Sequence, residues 1–390
     1  MEYKNLNYLK SVLQEEINKG ELNGAAIRVL LNNEIVYETE LGFADIEKGV
    51  PIGKDTIYRM FSMSKPFTAV AVMLLYERGL LNLLAPVSDY LEGFKDQKVY
   101  TEEGLVDVSR QSTIQDLLNM TSGVVYPDDS FEAGRRMEAL YAEVEALFHQ
   151  GKPLNTVDFC NRIGKMPLEF QPGNRWRYGA SADILGAVVE VVSGRKFSQF
   201  LQEEIFEPLW MVDTAFYVPK EKLERFSVNY EYSSERKRLE LFYGDFLAVF
   251  NYMSPPAFES GGAGLVSTVE DYSRFASMLL NGGSYQGTRI LGRKTVEYLA
   301  RPQLNEQQAA TYNWDSITGY NYGNLMRNLV DPAKAASNGS IGEFGWDGWT
   351  GNYFLVDPKE QLVMVYMIQR CGGTNPTMFR KLRSIIYGAL

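Results

Sequence analysis

Histidine is almost missing from this chain of 390 residues. His149 is the only one, and it lies in a charged stretch between polar loops. A nucleophile activated by a Ser-His-Asp triad is therefore excluded as the expected chemistry. Cysteine is nearly as scarce. Cys160 and Cys371 form neither a disulfide framework nor a metal-ligand cluster, and both read as buried thiols. No apolar run approaches the roughly 20 residues of a membrane span. Basic charge is in short supply: 39 Lys and Arg against 49 Asp and Glu leave a net charge of −10. That balance excludes a general nucleic-acid or anionic-membrane surface. The first six residues begin a polar amphipathic helix in place of the basic start and apolar core of a signal peptide, so the expectation is a cytoplasmic protein. The Gly-x-Ser-x-Gly elbow is also absent around Ser62.

The chain is otherwise ordinary in composition, 45% hydrophobic and 23% charged, and long enough for two domains or one large one. Its 24 tyrosines and 21 phenylalanines supply core and half-buried rim, and an aromatic-lined cleft for an apolar substrate would draw on the same residues.

One local pattern carries chemistry. Ser62-Met63-Ser64-Lys65 opens an apolar helix that runs from Pro66 to Leu75 and closes near Gly79. It sets a hydroxyl one helical turn before an amine. Ser-x-x-Lys also occurs at Ser193/Lys196 and Ser234/Lys237. Gly194 reads as the left-handed cap that ends a helix at Ser193, and Ser234 to Arg238 is a charge run of solvated surface. For Ser62 the alternative is a plain N-cap, but a capping box wants Glu or Gln at the position of Lys65. A cation in the first turn opposes the helix dipole by a few tenths of a kcal/mol. Together with apolar surroundings this lowers the amine's pKa, as a general base requires.

Residues 3–20 have helical period. Ala25 to Leu31 and Glu34 to Glu40 read as strands joined by the turn Asn32-Asn33. Near the other end, 352–356 and 362–368 flank the turn 357–360, and an amphipathic helix follows over 376–388. Strands near both ends predict one antiparallel sheet assembled from the two ends of the chain. The middle reads as mostly helical: 113–120, the amphipathic 129–150, and 181–192 with Ser181 as its N-cap. The 129–150 helix is either plain surface or part of a lid. Residues 230–245 are strongly charged. The candidate site falls between sheet and helices.

Five stretches in chain order resemble a known family. They are Tyr58-Arg59-Met60-Phe61-Ser62-Met63-Ser64-Lys65-Pro66, Thr113-Ile114-Gln115-Asp116-Leu117-Leu118-Asn119-Met120-Thr121-Ser122-Gly123, Pro167 to Gly186 with Tyr178-Gly179-Ala180, Gly261-Gly262-Ala263-Gly264-Leu265-Val266-Ser267-Thr268, and Phe344-Gly345-Trp346-Asp347-Gly348-Trp349-Thr350-Gly351. Together they are similar to the serine β-lactamase and penicillin-binding-protein superfamily, in its class C β-lactamase-like branch, which includes the family VIII carboxylesterases. The resemblance implies an α+β fold, with a sheet domain from 1–80 and 255–390, a mostly helical domain from 81–254, and the site at their interface.

It also implies roles. Ser62 would be the nucleophile, with Lys65 and Tyr178 sharing the proton work; which of them is the base stays open, because their protons are coupled. A phenol needs a neighbouring cation to work near neutral pH, and a protonated Lys65 would supply it. The backbone amides of Ser62 and Trp349 would form the oxyanion hole. Trp346, Asp347, Gly348 and Ala180 would meet the substrate. Trp346 stands where penicillin-recognising members carry a lysine, which points away from a substrate carboxylate and towards neutral esters. Ala180 replaces the asparagine of a Tyr-x-Asn element, and Met120 a frequent histidine. The implied function is hydrolysis of short or medium carboxylic esters through an acyl-enzyme, with no metal or other cofactor and with a small-molecule ester as partner. A β-lactamase, D-amino-acid peptidase or amidase, an acyltransferase, and a catalytically silent binding protein are the alternatives.

Overall fold

The computed structural model describes residues 4–390. Its centre is an eight-stranded antiparallel sheet. In spatial order the strands are Tyr320–Gly323, Met326–Leu329, Phe344–Asp347, Tyr353–Asp357, Leu362–Met367, Gly24–Leu31, Glu34–Asp45 and Val50–Pro51. The predicted joining of the two chain ends is the pairing of Gly24–Leu31 with Leu362–Met367, with Ala26 opposite Met367 and Val29 opposite Met364. The turn between the first two strands has Asn32 and Asn33 at φ 53° and 64°. Those angles match a primed hairpin turn, and asparagine tolerates them better than most residues.

Both faces of this sheet are covered, which is why Leu362–Met367 is buried at every position and its sequence does not alternate. Ile27, Val29, Met364 and Tyr366 pack against the terminal helices Asn7–Asn18 and Pro376–Tyr387. Ala26, Leu30, Val363 and Val365 face the other way, into the main core with Phe67, Tyr272 and Phe275. Those last three residues come from helices Lys65–Glu77 and Val269–Leu280. The Lys65–Glu77 helix is apolar around its whole circumference because packed elements surround it; every residue from Lys65 to Leu75 is buried.

Helices Ile114–Leu118, Glu132–His149, Thr156–Gly164, Ser181–Ser193 and Phe197–Leu201 make up much of the middle of the chain. It also carries two hairpins absent from the sequence reading, Lys98–Thr101 with Gly104–Asp107 and Tyr230–Ser233 with Arg238–Leu241. The charged 230–245 tract is thus partly strand, with Ser234 to Lys237 exposed at its tip. Ser181 is the first helical residue and Ala180 the cap, so the expected N-cap is displaced by one. Gly194 does end that helix, at φ 67°. Residue 3, the expected start of the first helix, lies outside the described residues. Cys160 and Cys371 are buried free thiols. No helix among the described residues is long and apolar enough to cross a membrane.

Candidate active site

Ser62 lies in a short 3-10 turn, Phe61–Ser64, that leads into the Lys65–Glu77 helix. Phe61 just before it is held at φ 44°, a left-handed conformation that costs a bulky residue on the order of 1–2 kcal/mol. The turn is tied down from several directions. Tyr58–Arg59 pairs with Val266–Ser267, the Met60 N–H donates to the Leu265 carbonyl at 2.8 Å, and the Leu265 N–H donates to Ser64 Oγ at 3.1 Å. Ser64 is therefore a buried acceptor that docks the 260–265 loop onto the Ser62 turn.

That loop surrounds the amine. Lys65 is fully buried, and its Nζ donates to Ser62 Oγ at 3.1 Å, to the Gly262 carbonyl at 2.9 Å and to the Tyr126 hydroxyl at 3.3 Å. Burial lowers its pKa from 10.5 to about 7, against the opposing pull of the Asp183 and Asp347 carboxylates. Desolvation is the dominant cause. Asp183 sits in the first turn of Ser181–Ser193, where its Oδ1 accepts from Ser260 Oγ at 2.5 Å and from the Gly262 N–H at 2.9 Å. It thereby fixes the carbonyl that Lys65 uses. Gly262 has no room for a side chain: a Cβ there would stand 2.8 Å from the Tyr126 hydroxyl and 3.0 Å from Asp183 Oδ2.

Tyr178 is beside the same amine, with Lys65 Nζ over its ring at 4.6 Å from the centroid. Its hydroxyl oxygen accepts from Trp346 Nε1 at 3.2 Å. Burial raises the phenol pKa well above its ordinary value, although hydrogen bonds from Ser62 and Trp346 oppose the rise. The amine faces the Tyr178 ring and makes its hydrogen bonds to Ser62, Gly262 and Tyr126.

The remaining expected site residues are placed as follows. Trp346 is 2% exposed, packed among Tyr178, Tyr322 and Arg327, so its N–H and not its apolar face is what it directs at the site. The Asp347 carboxylate is taken by a hydrogen-bonded ion pair with buried Arg327. Ala180 is buried at the helix cap. Gly348 passes so close to the Met60–Ser62 segment that a Cβ would lie 2.5 Å from the Met60 carbonyl. That approach brings Trp349 against Phe61, the residue before Ser62, with ring centroids 5.3 Å apart. The Trp349 N–H has no acceptor among the described residues. Asn352, fully buried, donates from Nδ2 to the Arg59 carbonyl at 2.8 Å and accepts from the Ile368 N–H at 2.8 Å, which locks the two segments together.

A cleft of about 490 Å³ opens beside Tyr126 and Tyr178, walled further by Phe131, Trp176 and Trp314. His149 is exposed at the end of Glu132–His149, next to Glu145 and Asp245, and makes no contact with Ser62. Sequence reasoning missed Tyr126, Asp183 and Asn352. Asp183 left a signal, as a buried acid in the first turn of a mostly apolar helix. Tyr126 left none among so many tyrosines.

An antiparallel sheet covered by helices, with a serine–lysine pair at the head of a buried helix, defines a class C β-lactamase and penicillin-binding-protein fold. The chain belongs to the beta-lactamase family, whose model matches residues 9–385. It is 30% identical to esterase EstB of Burkholderia gladioli over 97% of this chain and 94% of that one. It is 29% identical to protein Rv1367c of Mycobacterium tuberculosis over 94% and 90% of the two chains. The solved structure of EstCE1, "a hydrolase with promiscuous acyltransferase activity", superposes with a TM-score of 0.82 at 23% identity and covers 99% of each chain.

Proposed function

We infer that this protein is a serine carboxylesterase working through an acyl-enzyme on Ser62, with its site between a sheet unit of 1–80 and 255–390 and a helical unit of 81–254. The observation that carries this reading is the buried Lys65 amine, 3.1 Å from Ser62 Oγ, with a pKa of about 7. Near neutral pH a large fraction of it is unprotonated and able to take a proton. The likeness to EstB over nearly the whole chain supports the ester substrate.

In acylation the Ser62 Oγ–H proton passes to Lys65 Nζ as Oγ bonds to the ester carbonyl carbon. The carbonyl electron pair moves onto oxygen, where the amides of Ser62 and Trp349 receive it. Collapse breaks the bond to the alcohol oxygen. The departing alkoxide takes the Tyr178 phenol proton, and the Lys65 ammonium returns one to the phenolate. A phenol whose pKa burial has raised stays protonated and suits this donor role. Water then attacks the acyl carbon, its proton goes to Lys65, and the carboxylic acid leaves as Ser62 is reprotonated. The cleft beside Tyr178 is lined by Asp128, Glu169, Arg175 and Arg177 as well as by Phe131, Trp176 and Trp314, so it suits an alcohol with polar as well as aromatic groups. Transfer of the acyl group to a second alcohol in that cleft, in place of water, is the alternative that the EstCE1 likeness favours.

The test is a panel of nitrophenyl esters of rising acyl length run beside nitrocefin, with a fluorophosphonate label located by mass spectrometry. Ester turnover without nitrocefin cleavage, and a label on Ser62, are expected. Nitrocefin turnover alone would move the assignment to β-lactams, and silence with no label to a binding protein.

A further inference from the structure

An aromatic flap presses on Trp349 from outside the catalytic residues. Residues 242–250 double back in a tight turn in which Phe246 bridges to Val249, and the Val249 N–H donates to the Phe246 carbonyl at 3.0 Å. The two residues between them, Leu247 and Ala248, are at φ 53° and 60°. Left-handed backbone at two consecutive residues that are not glycine is unfavourable by itself, so surrounding contacts must hold it. Two such contacts are present. On one side Phe250 stacks on Phe148 of the Glu132–His149 helix, with centroids 4.5 Å apart. On the other Phe246 lies flat on the Trp349 indole, centroids 4.1 Å apart and planes 3° from parallel. Phe61 meets both rings edge-on, at 5.6 Å to Phe246 and 5.3 Å to Trp349, and Phe242 adds a second edge to the indole at 5.4 Å.

This cluster grips the residues that supply both oxyanion donors: Phe61 immediately precedes Ser62, and Trp349 carries the second amide. The turn around Trp349 is held on its carbonyl side, where the Gly373 N–H donates to the Trp349 carbonyl at 3.1 Å and the Gly351 N–H to the Gly348 carbonyl at 2.8 Å. The Trp349 N–H has no such partner among the described residues, and the ring stack is the anchor on its side. We propose that Phe246 is a positioning residue for catalysis, which holds the Trp349 amide in line for the developing oxyanion by stacking on its indole. The inference rests on the acyl-enzyme reading of Ser62.

The experiment compares Phe246→Ala, Phe246→Leu and Phe246→Tyr on a short nitrophenyl ester, with Ser62→Ala alongside. Removing an oxyanion donor outright costs 10²–10³ in kcat, so loosening one is expected to cost about 10–100-fold. Phe246→Ala and Phe246→Leu should lower kcat by that factor with KM within about threefold of wild type, and Phe246→Tyr, which keeps the stack, should restore kcat to within about threefold. Affinity for a trifluoromethyl ketone, which forms a tetrahedral oxyanion on the serine, should fall in parallel with kcat, while binding of the product acid stays unchanged. A flap that only stabilises the fold would lower Tm and leave kcat and ketone affinity alone, which overturns the proposal. So would a Tyr variant as slow as the Ala variant. An active wild type with inactive Ser62→Ala and unaltered Phe246→Ala refutes the flap role alone; activity that survives in Ser62→Ala, or a wild type inactive on the ester, refutes both readings.

Discussion

Replacing Lys65 with methionine keeps most of the side chain's length and apolar stem while removing its amine, and it separates the stability of the site from its chemistry. Wild-type Lys65 has a folded-state pKa of about 7 against an ordinary 10.5. Below pH 7 the amine is protonated in both states, and the folded protein bears the whole cost of the buried charge, about 5 kcal/mol at 1.36 kcal/mol per unit. Between pH 7 and 10.5 the unfolded chain binds a proton that the folded chain does not. Stability from this group therefore rises with pH across that window. From pH 6 to pH 9 the recovery is about 3 kcal/mol. Methionine has no such dependence. It leaves the Gly262 carbonyl and the Tyr126 and Ser62 hydroxyls without their shared donor, a penalty of about 1–3 kcal/mol for each group left unsatisfied, but one that does not change with pH. Urea unfolding of both proteins at pH 6 and pH 9 reads the difference. Relative to wild type, Lys65→Met should be about 3 kcal/mol better off at pH 6 than at pH 9. Its turnover should fall by 10²–10⁴ at every pH. An identical stability gap at the two pH values would mean that the amine stays charged in the folded state, and the general-base role would fall with it.

Ser62→Ala should abolish turnover and fluorophosphonate labelling, whereas Ser64→Ala should keep turnover and lose about 1–3 kcal/mol of stability, because its hydroxyl is the acceptor for the buried Leu265 N–H; equal loss of activity in both would mean the wrong serine has been chosen. Asp183→Asn keeps an oxygen for Ser260 and Gly262 but removes a charge that raises the Lys65 pKa, so the acid limb of the pH–rate profile should move to lower pH. A limb that stays put or moves up would count against coupling between the two groups. Trp346→Phe deprives the Tyr178 oxygen of its N–H donor and should slow turnover by up to about tenfold with Tm little changed; an unaltered kcat across pH 6–9 would show that the indole only fills space.

The sequence by itself determined what is local. Ser62 and Lys65 are three residues apart ahead of an apolar run of helical length, so a hydroxyl one turn before an amine is legible from local sequence alone. The Asn32-Asn33 hairpin was legible for the same reason, since two consecutive left-handed residues between β-rich segments favour asparagine. The strands at both chain ends were legible as elements, but their pairing is a contact between Gly24–Leu31 and Leu362–Met367 that no local preference specifies. Tertiary structure alone decided the state of the amine. The Tyr126 hydroxyl and Gly262 carbonyl that hold Lys65 lie 61 and 197 positions along the chain, and the Trp346–Tyr178 bond spans 168. Periodicity cannot report such pairs. The amine's pKa is set by complete burial, against the pull of the Asp183 and Asp347 carboxylates, because removing water disfavours the ammonium. The same burial raises the Tyr178 phenol, whose oxygen accepts from Trp346 Nε1 while the Lys65 amine sits over its ring.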